Sequence, residues 1–179
     1  MVQINELLGN KSLMKILNFF LRHPTIRIYQ YDLKKNVKLA KGTLLNNLEM
    51  LINLDLLNVE NFGRAKVYSL NKSVTLVRYL KILQNIMELS DISKISQKYK
   101  VKIYAYGSAA RGEDHEESDI DLLIIGQIKK EEIIRDVKKV EETIGRPITI
   151  QIFSPQEWSA MAKKDPAFYE RIEKDKIEL

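Results

Sequence analysis

Between residues 105 and 126 the chain reads AYGSAARGEDHEESDIDLLIIG. A short apolar run stops at Gly107-Ser108, crosses a charged loop and resumes at Asp119-Ile120-Asp121. Asp119 and Asp121 stand two apart at the head of a run that reads as a β-strand, so both side chains leave the same face. Neighbouring carboxylates repel, and keeping both ionised is costly unless a cation compensates. Mg2+ takes oxygen ligands, commonly one or two carboxylates together with substrate phosphates. Gly107 lets a backbone approach a phosphate closely, and Ser108 adds a hydroxyl donor. Mg2+ (or Mn2+) held by Asp119 and Asp121 could bridge to a triphosphate anchored at Gly107-Ser108, an arrangement that suits phosphoryl or nucleotidyl transfer.

The elements that must hold these residues are written in the flanking pattern. VKIYAY (101–106) reads as a strand and DIDLLIIG (119–126) as a second. IKKEEIIRDVKKVEETIG is an amphipathic helix using Ile128, Ile133, Ile134, Val137, Val140 and Ile144, closed by Gly145. PITIQIF (147–153) is a third strand. Ser154-Pro155-Gln156-Glu157 is a capping box, and Asp165-Pro166 opens another helix in the same way. These elements make a small α/β domain on a mixed sheet. Along PITIQIF, Ile148, Ile150 and Ile152 share one face, while Thr149, Gln151 and Phe153 share the face expected to look at the aspartates.

The N-terminal half follows a different pattern. Leu13, Ile16, Leu17, Phe20 and Leu21 recur at helical spacing, and His23-Pro24 ends that helix. A short helix fits Gln30 to Val37. The next begins near Ala40, turns Leu44, Leu45, Leu48, Leu51 and Ile52 inward, and shows Lys41, Thr43, Asn46, Asn47 and Asn53 on its other face. Two β runs then flank Asn61-Phe62-Gly63-Arg64, a hairpin turn. Three helices and a hairpin resemble the winged helix-turn-helix pattern over residues 8–72. The exposed face of the third helix offers amide, hydroxyl and ammonium groups for bases or phosphates, and Arg64 and Lys66 stand at the wing tip. Residues 74–98 carry one long helical pattern, with Leu76, Leu80, Leu83 and Met87 on its stripe.

Charge divides along the same line. Residues 1–100 hold 16 Lys and Arg against 7 Asp and Glu, and residues 101–179 hold 13 against 17. The basic half suits a polyanionic partner. With no cysteine, disulfides and thiolate metal sites are excluded, which fits a reducing cytoplasm. The apolar positions from Ile4 to Leu21 are broken by Glu6, Asn10, Lys11 and Lys15, against a signal peptide, and no apolar run is long enough to span a bilayer. The expected organisation is a winged helix domain over 1–73, a connecting helix over 74–100 and an α/β domain over 101–179.

The central motif carries a resemblance of its own. Gly107-Ser108, ten residues, then Asp119-Ile120-Asp121 is similar to the GS-x10-DxD signature of the DNA polymerase beta nucleotidyltransferase superfamily. The fuller pattern of the minimal nucleotidyltransferases is matched by Gly107, Ser108, Ala110, Arg111, Gly112, Glu113, Ser118, Asp119, Ile120, Asp121, Leu122 and Leu123. The resemblance covers residues 95–155, with the tail from Ser154 to Leu179 as an appended pair of helices. It implies that Gly107 and Ser108 contact a nucleoside triphosphate, ATP by expectation, and that Asp119 and Asp121 bind the divalent metals. Arg111 either reaches the phosphates or pairs with Glu113, Asp114 or Glu117; His115 has no matching role.

One departure bears on activity. Competent members of the superfamily place a third carboxylate on a neighbouring strand, and no Asp or Glu lies between Gly145 and Ser154. Gln151 is the candidate third position, and an amide cannot act as a general base. Two readings stand open: a Mg2+-dependent nucleotidyltransferase acting on an unknown acceptor, or a DNA-binding transcriptional regulator whose second domain senses nucleotide or binds a protein partner. Paired half-sites for a winged helix would call for a homodimer.

Overall fold

The structure is a computed structural model and describes residues 7–179. Ile4 and Glu6, two of the residues weighed against a leader segment, lie outside the described residues. The chain divides into two compact units, Met1–Leu80 and Lys81–Leu179.

In the first unit, α1 (Lys11–Arg22) starts where Asn10 accepts hydrogen bonds from the Ser12 and Leu13 backbone amides, both at 3.1 Å. It buries Leu13, Ile16, Leu17, Phe20 and Leu21, the face predicted from spacing. A three-residue strand, β1 (Arg27–Tyr29), has no counterpart in the sequence pattern and is too short to show an alternation. After it come α2 (Gln30–Val37), α3 (Lys41–Asn53) and the hairpin β2 (Leu57–Phe62) and β3 (Ala65–Leu70). The sheet order is β1-β3-β2, all antiparallel, and Gly63 turns the hairpin at φ +60.

Helix α3 corrects two expectations. Leu45, expected inside, is 37% exposed, whereas Asn47, expected on the exposed face, is 7% exposed. The buried stripe runs Leu44, Asn47, Leu48 and Leu51, a 3-4-7 spacing that the polar identity of Asn47 disguised. Its amide is fully used: Asn10 Nδ2 donates to Asn47 Oδ1 at 2.8 Å, and Asn47 Nδ2 donates to the Thr43 carbonyl at 2.7 Å. Asn10 therefore caps α1 and ties it to α3 with one side chain.

The single helix expected over 74–98 is two, α4 (Thr75–Glu88) and α5 (Ile92–Tyr99). Between them the Ser90 amide bonds the Met87 carbonyl and the Ile92 amide bonds the Leu89 carbonyl. At the turn Ser93 Oγ donates to the Ser90 carbonyl, a case of a short polar side chain competing with helical backbone bonding. The break lets Leu89, Ile92 and Ile95 all enter one core.

That core backs a mixed sheet of β4 (Lys102–Tyr106), β5 (Ile120–Ile125), β6 (Ile148–Phe153) and β7 (Ile177–Glu178), in the order β6-β5-β4-β7. A short helix, α6 (Gly107–Arg111), follows β4 directly, and α7 (Lys130–Ile144) makes the crossover between the parallel pair β5 and β6. Ile103, Ala105, Ile120, Leu122, Ile124 and Ile148 face α5 and α7. The opposite face carries Tyr104, Tyr106 and Leu123, packed against Trp158 of α8 (Pro155–Lys164) and Ile172 of α9 (Pro166–Asp175). The tail is thus more than a helix pair: its last residues add β7 beside β4, pairing Ile177 with Ala105 and Glu178 with Tyr104. No described helix is long and apolar enough to cross a membrane.

Removing the Asn10 side chain takes away two cap bonds and leaves the buried Asn47 carbonyl oxygen unpaired. Asn10→Ala is expected to destabilise the first unit by about 1–3 kcal/mol, read as a lower urea midpoint in far-UV circular dichroism.

Candidate functional site

The backbone at Gly107 sits at φ +72, a conformation that disfavours any side chain. Space forbids one as well, because a Cβ on Gly107 would lie 2.6 Å from Asp121 Oδ2. The cause is register: β4 and β5 pair antiparallel with Tyr106 opposite Asp121, so the turn that leaves β4 passes over the Asp121 carboxylate. Gly107, Ser108 and Asp121 therefore lie together at one end of the two central strands. The Ser108 carbonyl accepts the Glu113 amide at 3.0 Å, and Gly112, at φ +66, ends the short helix.

Asp119 stands just ahead of β5 and is exposed. Burial, then the Asp119 charge, hold the Asp121 carboxyl above its ordinary pKa, and Arg171 of α9 offsets part of this. Two carboxylates on one face, one of them held above its ordinary pKa, have the donor chemistry that could hold a hard divalent cation, whose charge would offset their repulsion. Among the described residues no group of three or more His, Cys, Asp or Glu is placed to hold a metal.

The neighbouring strand refines the third position. In the parallel pair, Thr149 lies opposite Asp121 and Gln151 opposite Leu123. Thr149 Oγ1 is 3.5 Å from Asp119 Oδ2, whereas Gln151 acts on the Tyr106 phenol, lowering its pKa. Gln151 shares the site's face, but Thr149 is the direct neighbour of the aspartates. The alternation of PITIQIF could not separate the two; register does. Burial raises the Tyr106 phenol, Asp121 raises it further, and Arg171 and Gln151 act the other way. Tyr106 was legible in principle, since it precedes Gly107 and alternates onto the aspartate face. Arg171, fifty residues downstream of Asp121, left no such signal.

Arg111 Nε donates to Glu113 Oε2 at 2.7 Å, and its Nη1 lies 3.6 Å from Asp175 Oδ2 on α9. The local salt bridge considered for Arg111 is therefore present, joined by a second acidic partner. His115 is exposed in the loop, its amide donating to Ser118 Oγ at 3.0 Å.

In the first unit, Lys41, Arg64 and Lys66 line one cleft of about 670 Å³ together with Tyr29, Tyr31, Asp32 and Lys34. Thr43 and Asn46 are exposed on α3, and Asn47 leaves the surface set. The tyrosines were unmarked in sequence because the strand that places Tyr29 is so short.

A family model described as "Nucleotidyltransferase domain" matches residues 86–178, just over half of the chain. The match includes α8, α9 and β7, so the tail falls inside the domain. No curated protein and no solved structure matches.

Gly107→Ala carries a backbone cost of about 1–2 kcal/mol for the left-handed conformation, and the contact with Asp121 adds to it. Asp121→Ala removes the contacting oxygen and leaves only the backbone cost. In chemical denaturation, Gly107→Ala should therefore cost less on the Asp121→Ala background, with a coupling of about 0.5–3 kcal/mol. Additive losses would mean that the carboxylate does not press on Gly107.

Proposed function

The chain belongs to the nucleotidyltransferase domain family, and we propose that its second unit binds a nucleoside triphosphate with Mg2+ or Mn2+ and transfers the nucleoside monophosphate slowly to a hydroxyl-bearing acceptor. The observation that carries this reading is the Asp121 carboxylate so close to Gly107 that a side chain there would meet it, which puts the acidic pair beside the Gly-Ser turn. Asp119 and Asp121 would hold the cation; Gly107 and Ser108 would meet the triphosphate. A bound divalent cation would neutralise charge on the triphosphate and on the departing pyrophosphate.

In such a transfer the acceptor oxygen attacks the α-phosphorus, the bond to the β-phosphate breaks, and the acceptor hydroxyl loses its proton. Neither Thr149 nor Gln151 can take that proton, so it passes to solvent water. General-base assistance is worth about 10²–10⁴-fold, so binding should be strong relative to turnover. Arg171, whose charge reaches Asp121 and Tyr106, is the cation that α9 brings towards this end of the sheet.

Calorimetry with Mn2+ and ATP should give a dissociation constant that rises at least tenfold in Asp119→Asn and Asp121→Asn. Incorporation from α-labelled ATP should be weak in the wild type and increase in Thr149→Asp, which restores a carboxylate beside the pair. Wild-type affinity in both asparagine variants would overturn the assignment.

A second reading concerns the first unit and rests on its cleft. Three helices with a three-stranded antiparallel sheet support a winged-helix reading, and Lys34, Lys41, Arg64 and Lys66 line one cleft with two tyrosines and Asp32. Phosphate contact by such a cluster accounts for a DNA-binding module. Together the two readings describe a DNA-binding regulator that carries a nucleotide-binding domain. Lys41→Ala and Arg64→Ala should each weaken duplex binding across sequences and lower the salt slope by about one unit. Affinity and slope both unchanged would remove the cleft from the interface.

A further inference from the structure

A buried polar cluster lies outside the site described above. Asp114, 3% exposed in the loop between α6 and β5, receives Asn85 Nδ2 at 2.9 Å, Arg146 Nη2 at 3.1 Å and Lys81 Nζ at 3.4 Å. Its partners come from α4 and from the turn between α7 and β6. Two of them also hold backbone carbonyls of the loop's flanks. Asn85 Nδ2 donates to the Ala109 carbonyl at 2.9 Å, two residues past Gly107. Arg146 donates to the Ser118 carbonyl from Nη2 at 3.1 Å and Nε at 3.3 Å, one residue before Asp119. Arg146 Nη1 then closes the circuit on Asn85 Oδ1 at 3.3 Å.

The geometry points to Asn85, Asp114 and Arg146 as positioning residues that clamp both ends of the 107–121 loop and so set the separation between the Gly107-Ser108 turn and the Asp119/Asp121 pair. A buried charge cluster is a poor source of stability, since apolar side chains of equal volume often serve as well or better. What apolar side chains cannot do is hold two carbonyls in fixed places. The guanidinium suits this because its planar fork bonds Asp114, Ser118 and Asn85 at once. Burial drives the Lys81 ammonium below its ordinary pKa, Arg146 adds to this, and Asp114 acts the other way. The inference rests on the nucleotide and metal reading for its functional meaning, but its structural claim stands apart from it.

Arg146→Lys keeps the positive charge and loses the fork. In the full chain, deuterium exchange followed by mass spectrometry should accelerate at least tenfold in peptides covering 107–121, with exchange in α5 and α7 at the wild-type rate. The Mn2+–ATP dissociation constant should rise about tenfold. Asn85→Ala releases the other end and should accelerate the same peptides, which keeps the test decisive if Arg146→Lys folds poorly. Exchange unchanged in 107–121, or raised equally across 81–179, would overturn the clamp and leave a structural role only. Accelerated exchange with wild-type Mn2+–ATP affinity would overturn its link to binding. If the wild type binds no Mn2+–ATP, the function reading falls, and the exchange pattern still decides the clamp.

Discussion

The close approach of the Asp121 carboxylate to Gly107, which leaves no space there for a side chain, is the constraint around which the acidic end of the second unit is organised. It exists because β4 runs antiparallel to β5 with Tyr106 across from Asp121, and because the chain leaves β4 through a left-handed residue without a side chain. Shift the register by one residue and Asp119 and Asp121 point into the isoleucine core, where two carboxylates could not be kept. The acidic face and the hydrophobic core are therefore alternatives for the same strand, separated by its alternation.

The rest of the sheet can be understood from that strand outward. Its Ile120, Leu122 and Ile124 face is fully buried under α5 and α7, which supplies the apolar burial that a small domain needs. Its other face is divided along its length. Leu123 lies under the aromatic cluster of Trp158, Phe168 and Tyr169, while Asp119 and Asp121 at the head of the strand remain partly open. α8 and α9 thus dry one half of the face and bring Arg171 towards the other. The cost of an acidic pair is met locally by exposure of Asp119 and by that arginine rather than by a buried counter-ion.

Much of this was legible along the chain. The alternation of 119–126, the capping box at Ser154, the Asp165 cap followed by Pro166, and Gly145 closing α7 are local signals, and each falls where the structure has it. Local signals failed where the deciding partner was remote. Asn47 looked like surface on α3 because it is polar, but Asn10, thirty-seven residues away, makes it a core residue. Leu89 to Asp91 looked helical because the apolar residues flanking it keep the period, and the break shows in the hydrogen bonds from the Ser90 amide to Met87 and from the Ile92 amide to Leu89. The strand at Ile177–Glu178 is too short to show a pattern, and pairing with β4 alone defines it.

By itself the sequence determined which residues could do chemistry: a Gly-Ser turn, an Asp-x-Asp strand and a following strand with no acid. Residue identity and period-two alternation suffice for that, because both act over a few residues. Only the tertiary structure decided that Thr149 rather than Gln151 adjoins the aspartates, that Asp121 rests on Gly107, and that Asn85 and Arg146 hold the loop between them. Each of these is a matter of register between strands or of contact between elements far apart in the chain. Such relations are set by the packing of whole faces, which no single segment encodes.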